Sequence, residues 1–263
     1  MRSTRLAALA ASALTLALLT TGCGSTDDEP SGEASAPAPG GPKVVASTSW
    51  VGSLAKAAGV TDITVVAPAN VQHPPDYDPK PSDLAAVAGA DYVLFAEFDG
   101  FAAKLKDAAG GKGQLVPVEL ENTPAKIRSE VTRLGGLFGT ADKAAAWLTT
   151  FDREYVNLSS GLKDVAPIPP KTAVSHLFMA YWAEFVGFKV VGTYGPQPVS
   201  AGQLAELTAK KPAVVLANAH LPGANPEIPG AKRVDIVNYP GADLNLLAVF
   251  RTNAERLGAV LAS

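Results

Sequence analysis

Three histidines, His73, His176 and His220, are the residues best suited to chemistry, and the 263-residue chain contains no others. Each follows a short apolar run that predicts a strand. In open α/β sheets, ligands bind beyond the carboxyl ends of the strands, and neutral imidazole is the commonest metal-ligating side chain. The positions therefore indicate a metal site. On spacing alone, hydrogen-bonded structural histidines are an equally good interpretation.

Eight apolar runs predict the strands that would position these histidines. Because most are continuous rather than alternating, they favour parallel strands buried on both faces. Helical segments lie between most of them, including one predicted over Phe98–Ala109. The predicted fold class is therefore α/β, with two lobes built on mostly parallel four-stranded sheets. The predicted strands are Lys43–Thr48, Asp62–Ala67, Asp91–Ala96, Gln114–Glu119, Lys171–Ser175, Phe188–Thr193, Ala213–Ala217 and Arg233–Val237.

A helical connector separates the two sets of four strands. Thr123 and Pro124 form a typical helix start, and the glycines at 135, 136 and 139 are expected to interrupt the helix. A second helix from about Thr140 carries an apolar stripe that contains Trp147 and Phe151. The predicted domains are an N-terminal lobe (43–122), a connector (123–166) and a C-terminal lobe (167–263).

The N-terminus has the pattern of an export signal. Arg2 and Arg5 precede an apolar run that is too short to span a bilayer comfortably, and the run ends in a bacterial lipobox-like sequence at Cys23. We therefore predict a lipoprotein signal peptide (1–22), a lipid on Cys23, a flexible tether (23–42) and a location on the outer face of the cell membrane. Cys23 is the only cysteine, so disulfide bonds within the chain are excluded.

Composition limits the function further. The formal net charge is −3, and removing residues 1–22 takes away two arginines and no acids, which gives −5. No basic run suggests nucleic-acid binding. The sequence has no nucleophile elbow, phosphate-binding loop or His-Glu-x-x-His motif. We expect a monomeric binding protein rather than an enzyme.

Three segments carry a resemblance to a known family. Gln72–Leu84, which reads QHPPDYDPKPSDL, resembles the first metal motif of the ZnuA/TroA-like solute-binding proteins of ABC importers. Val174–Trp182 is similar to the family's second-lobe histidine segment, and Val249–Leu257 to its terminal helix. The resemblance implies two lobes bridged by a long helix, a divalent metal ion captured between them, and delivery of that ion to an ABC permease membrane subunit.

The resemblance makes His73 and His176 metal ligands, but another ligand is missing. The family's Asp-Pro-His segment before the connector is absent, and Pro74 and Pro75 place His73 two positions earlier than usual. Three residues are candidates to replace the missing ligand: Glu119, Glu121 and His220.

The family's remaining ligand is an aspartate near the last strand. Asp235 matches it best and Asp243 is second. Three histidines and one carboxylate would form a closed four-coordinate zinc site, whereas two histidines and two carboxylates would suit manganese. Zinc is preferred and manganese is the alternative. A closed shell also argues against catalysis, because catalytic zinc keeps a position open for water.

Other functions remain open at this point. A receptor of the same architecture for a chelate, such as a siderophore or corrinoid, would need a large aromatic or arginine-lined cleft. A member that has lost its metal would act as an adhesin or docking lipoprotein, and the missing motif allows this. A metal-dependent hydrolase would show an open coordination position beside a general base.

Replacing Cys23 with alanine should abolish lipid attachment, because the thiol is the acceptor group that the signal pattern implies. Metabolic labelling with radioactive palmitate should mark the wild-type protein and leave Cys23→Ala unmarked. Equal labelling of the two proteins would rule out a lipid on Cys23.

Overall fold

The structure is a computed structural model that describes residues 41–262. The predicted signal peptide, Cys23 and most of the predicted tether lie outside the described residues. No helix in the described range is both long enough and apolar enough to cross a membrane.

The first sheet has four parallel strands in the order β2-β1-β3-β4. Its strands are β1 (Lys43–Ala46), β2 (Asp62–Val65), β3 (Tyr92–Phe95) and β4 (Gln114–Pro117). Three helices connect them: α1 (Ser49–Ala57), α2 (Pro81–Ala88) and α3 (Ala102–Ala109). Strand β1 is central and its Val44, Val45 and Ala46 are fully buried, as expected for a parallel strand covered on both faces.

Two helices follow the first sheet. Helix α4 (Pro124–Leu137) begins with Thr123 as its N-cap, whose hydroxyl accepts a hydrogen bond from the Lys126 N–H. Helix α5 (Ala141–Asp164) is the longest in the described chain. The predicted interruption at Gly135 and Gly136 is wrong, because α4 continues through both glycines and the chain turns only at Gly139, where φ is +67°.

The second sheet repeats the arrangement of the first, with parallel strands in the order β6-β5-β7-β8. Its strands are β5 (Thr172–His176), β6 (Lys189–Tyr194), β7 (Val214–Asn218) and β8 (Lys232–Ile236). Its helices are α6 (Tyr181–Val186), α7 (Ala201–Ala209) and the terminal α8 (Leu246–Leu261). The predicted fold class is therefore confirmed.

One hydrophobic core connects the two sheets. It runs from Val44 on β1 through Phe151 on α5 to Phe250 on α8 and Leu216 on β7. The rings of Phe151 and Phe250 meet edge to face with centroids 5.3 Å apart, and the predicted α5 stripe supplies this contact. The lobes are therefore held together by buried apolar surface as well as by the chain.

Gly135 lets α4 and α5 pack closely. A Cβ atom at this position would lie 2.6 Å from Cβ of Ala144, whereas a Cβ atom at Gly136 would meet nothing within 4 Å. Gly135 is therefore required for the close packing of α4 against α5, and it does not interrupt α4.

We expect Gly135→Ala to lower the free energy of unfolding by about 1–3 kcal/mol, because the added methyl overpacks the helix pair. Gly136→Ala is the matched control, and it should raise stability by about 0.5–1 kcal/mol because alanine favours helix. Urea unfolding of both variants in a Cys23→Ala background measures the difference. Equal stability of the two variants would contradict the packing role of Gly135.

Candidate functional site

The candidate site lies where the carboxyl ends of the two parallel sheets face each other. The loop after β2 carries Gln72 and His73, and the segment after β7 carries His220. Gln72 connects the lobes directly, because its Nε2 donates to the Ala219 carbonyl at 2.5 Å. This position agrees with the usual ligand-binding edge of open α/β sheets.

His73 is anchored at the start of a short 3₁₀ turn over Pro74–Asp76. Its Nδ1 lies 2.8 Å from Oδ2 of Asp76, while Pro74 and Pro75 are buried beneath the turn. The contact lacks hydrogen-bond geometry, so Nδ1 of His73 is buried beside the Asp76 carboxylate without a hydrogen bond to it. The two buried prolines form the turn that directly follows His73.

His220 bridges the two lobes. Its Nδ1 lies 3.3 Å from the Gln72 carbonyl oxygen, and its Nε2 accepts a hydrogen bond from the Asn238 N–H at 3.2 Å. The proton therefore sits on Nδ1 and is directed at Gln72. Burial lowers the pKa of His220 to about 4, and the charge of His73 contributes in the same direction. The loop that carries His73 thus contacts His220 directly, through the neighbouring residue Gln72.

His176 is the last residue of β5 and is fully buried. Its Nδ1 accepts from the Phe178 N–H at 3.2 Å, whereas its buried Nε2 has no hydrogen-bond partner. Gly195 lies directly against the ring, since a Cβ atom there would be 2.5 Å from Nε2. Burial alone lowers the pKa of His176 to about 4. The imidazole is therefore neutral at pH 7.

The predicted carboxylate ligands are exposed, and two of them have basic partners. Glu119 pairs with Lys126, and this contact lowers the pKa of the Glu119 carboxyl. Asp235 lies 2.7 Å from Arg233 and lines a cavity of about 480 Å³ that also contains His220. Glu121 is exposed.

Asp243, the second choice for the last ligand, is also exposed. Its Oδ1 accepts from the Asn245 N–H at 3.2 Å, so it supports the approach to α8. Within residues 41–262, no group of three or more His, Cys, Asp or Glu side chains is arranged so that it could hold a metal ion.

Comparison with known proteins gives a result for structure only. No family sequence model and no curated protein sequence matches the chain. The structure is similar to the laminin-binding protein Lmb of Streptococcus agalactiae, with a TM-score of 0.60 at 19% identity over 82% of this chain and 100% of Lmb. It is similar to ZnuA, with a TM-score of 0.57 at 23% identity over 82% and 98% of the two chains. It is also similar to TroA, with a TM-score of 0.61 at 13% identity over 84% of this chain and 99% of TroA.

This chain has the ZnuA/TroA-like fold. The resemblance of Gln72–Leu84 and the two later segments is thus matched by the whole architecture, with two parallel four-stranded sheets joined by helices. Where this ZnuA/TroA-like chain lacks the Asp-Pro-His segment, the residues before α4 are used differently, as the contacts of Asn122 show.

Asn122 belongs to a buried polar network between the lobes that sequence reasoning missed. Its Oδ1 accepts from Nε1 of Trp50 at 2.9 Å, and its Nδ2 donates to Oδ1 of Asn238 at 3.3 Å. The Tyr181 hydroxyl donates to the same Asn238 oxygen at 2.9 Å. All four side chains are uncharged at neutral pH, so the network closes the interface without burying a charge.

Asp99 is the second residue that sequence reasoning missed. The sequence places it in a helix over 98–109, but α3 begins only at Ala102, so Asp99 lies in the loop after β3. It is 3% exposed, and its burial raises the pKa of the carboxyl. An acid three residues after the predicted strand Asp91–Ala96 was the available signal.

We expect the metal-free protein to lose stability as the pH falls below 6.5. His176 and His220 have pKa values near 4 when folded and about 6.5 when unfolded, so the unfolded chain binds more protons in this window. Above pH 6.5 both histidines contribute their full stabilisation of the folded state. Between pH 6.5 and pH 4, protonation of each histidine lowers the free energy of unfolding by at most about 1.4 kcal/mol per pH unit.

Urea unfolding with a chelator at pH 7.0, 6.0 and 5.0 measures this dependence. His176→Phe, which keeps a ring of similar size against Gly195, should show about half the loss because only His220 remains. The same pH slope in wild type and His176→Phe would contradict the assignment for His176.

Proposed function

We propose that this protein is the extracytoplasmic receptor for a divalent metal ion, with zinc preferred over manganese, in an ABC importer. A lipid on Cys23 holds it to the outer face of the membrane, and a monomer captures the ion between its lobes and passes it to the permease membrane subunit. Similar structures support this proposal, since they include a ZnuA variant with zinc bound and Lmb, described as having metal transporting activity.

The contact between the loop that carries His73 and the segment that carries His220 is the observation that carries the proposal. His73 comes from the N-terminal lobe with Asp76 behind its Nδ1, and His220 comes from the C-terminal lobe. Ligation requires a neutral imidazole, and the low pKa of His220 provides one at neutral pH. To bind the ion, His220 must exchange one of its backbone hydrogen bonds for a metal bond.

The remaining ligands require further movement. Because Nδ1 of the neutral His176 accepts from the Phe178 N–H, its buried Nε2 carries the proton. That proton must leave Nε2 and the Gly195 loop must withdraw before an ion can bind there. Glu119 and Asp235 would each have to leave a basic partner, and Glu121 would have to turn inward from solvent. Capture, exchange of these contacts and release are binding steps, so no bond chemistry is needed.

A metal-free docking or adhesin role is the second candidate. It is favoured by the lack of any three-ligand group among residues 41–262 and by the neutral asparagine network between the lobes. A chelate receptor is less well supported. The cavity lined by Tyr155, Tyr181 and Arg128 measures about 370 Å³, and the cavity lined by Arg233 and Arg256 measures about 480 Å³. Both are in the lower part of the range for small-molecule sites and are too small for a corrinoid.

Elemental analysis after purification without chelator, followed by zinc and manganese calorimetry, tests the proposal. Wild-type protein should hold one ion per chain, with an affinity that falls as the pH drops through about 6.5. His73→Ala and His220→Ala should each weaken zinc binding at least about tenfold. The zinc affinity of His176→Ala shows whether the buried histidine is a further metal ligand. If neither metal binds to the wild-type protein at pH 7.5, the receptor function is wrong and the docking role is the better explanation.

A further inference from the structure

The cavity of about 370 Å³ is separate from the histidine loops. It is lined by residues of α4, α5, α6 and α8, and none of the three histidines lines it. One wall is a continuous aromatic surface, because the ring of Tyr155 lies 5.1 Å from that of Phe185 and 5.9 Å from that of Phe250, measured between centroids. A small molecule in this cavity would therefore place an apolar or aromatic group against these rings.

Two opposite charges line the same cavity without pairing with each other. They are Arg128 of α4 and Glu184 of α6. Only Nε of Arg128 is bonded, to Oδ1 of Asp152 at 2.8 Å, so the two terminal nitrogens of the guanidinium are available. Glu184 is exposed, and within residues 41–262 its carboxylate makes no hydrogen bond and no ion pair. An available cation and an available anion on one cavity suit a ligand that carries both charges.

Unbonded polar groups lie between these charges and the aromatic wall. Burial and the charge of Glu184 raise the pKa of Tyr155, and Arg128 lowers it, so the Tyr155 hydroxyl is within electrostatic range of both. Trp182 also lines the cavity, is 1% exposed, and has a buried Nε1 without a hydrogen-bond partner. The cavity therefore offers hydrogen-bonding groups that the folded chain does not use.

The first turn of α4 adds a positive end to the cavity. Thr123, Pro124 and Ala125 all line it. The Thr123 hydroxyl is already bonded to the Lys126 N–H, and Pro124 has no N–H, so the Ala125 N–H is left without a partner inside the helix. Helix N-termini stabilise carboxylates, and Arg128 lies about one turn further along the same helix. This end of the cavity therefore favours a carboxylate.

We propose that this cavity binds a free α-amino acid with an aromatic or large apolar side chain. The carboxylate of the amino acid binds Arg128 and the first turn of α4, its ammonium group binds Glu184, and its side chain packs against the ring of Tyr155. The cavity is separate from the proposed metal site, so this inference does not rest on the metal-receptor function.

Titration calorimetry with four probes tests each part of the ligand. L-phenylalanine carries all three recognised groups, whereas phenylpropionate lacks the ammonium group, phenethylamine lacks the carboxylate and L-alanine lacks the ring. We expect L-phenylalanine to bind and each of the other three to bind at least about tenfold more weakly, because each loses a charge-assisted contact or the burial of the ring. A Cys23→Ala background with a chelator present keeps the metal site empty.

Two substitutions should affect different parts of the ligand. Arg128→Gln should weaken L-phenylalanine about tenfold and leave phenethylamine unchanged, because phenethylamine has no carboxylate. Glu184→Gln should weaken L-phenylalanine about tenfold and leave phenylpropionate unchanged, because phenylpropionate has no ammonium group. Asp152→Asn is the matched control. It removes the ion pair with Arg128 but keeps the guanidinium, so it should bind L-phenylalanine at least as tightly as the parent protein.

Several results would overturn the inference. If L-phenylalanine does not bind at millimolar concentration, the cavity is not an amino-acid site. If L-alanine binds as tightly as L-phenylalanine, the aromatic wall is not used. If both Arg128→Gln and Glu184→Gln bind like the parent protein, the ligand binds elsewhere. If Asp152→Asn loses binding together with Arg128→Gln, the ion pair is structural and Arg128 does not recognise the carboxylate. The metal-receptor proposal is unaffected by each of these results, because the titrations contain no free metal.

Discussion

Asn238 is the residue on which the meeting of the two lobes depends. Its side chain connects Asn122 of the first lobe to Tyr181 of the second, and its backbone N–H donates to the His220 ring. The strand end that carries it is itself held, since the Asn253 amide makes two hydrogen bonds to the backbone of Val237. Asn238 therefore joins the lobes through its side-chain amide and fixes the tautomer of His220 through its backbone N–H.

The strands and their order of occurrence were accessible from the sequence because buried parallel strands leave continuous apolar runs. The predicted run Ala213–Ala217 agrees with β7 to within one residue at each end. Helix boundaries were harder. The proposed helix over 98–109 started too early, because Phe98 is exposed and Asp99 turns inward rather than continuing the helix.

The site was only partly accessible for two physical reasons. Asparagines have no titratable chemistry, so Asn122 and Asn238 gave no signal, and their contact spans 116 residues of sequence. The histidines were found by type, but their partners are largely backbone groups, such as the Gln72 carbonyl and the Phe178 N–H. Backbone partners leave no trace in residue identity, so the state of each ring nitrogen had to come from the structure.

The continuous core has a consequence for how the cleft between the lobes can open. Because one core spans both sheets and the rings of Trp50 and Tyr239 meet edge to face between the lobes, swinging one lobe away from the other would expose apolar and aromatic surface to water. Opening is therefore inexpensive only at the loops around Gln72, Gly195 and Tyr239. Access to the cleft is therefore expected to depend on local fluctuations of these loops rather than on rotation of one lobe about a hinge.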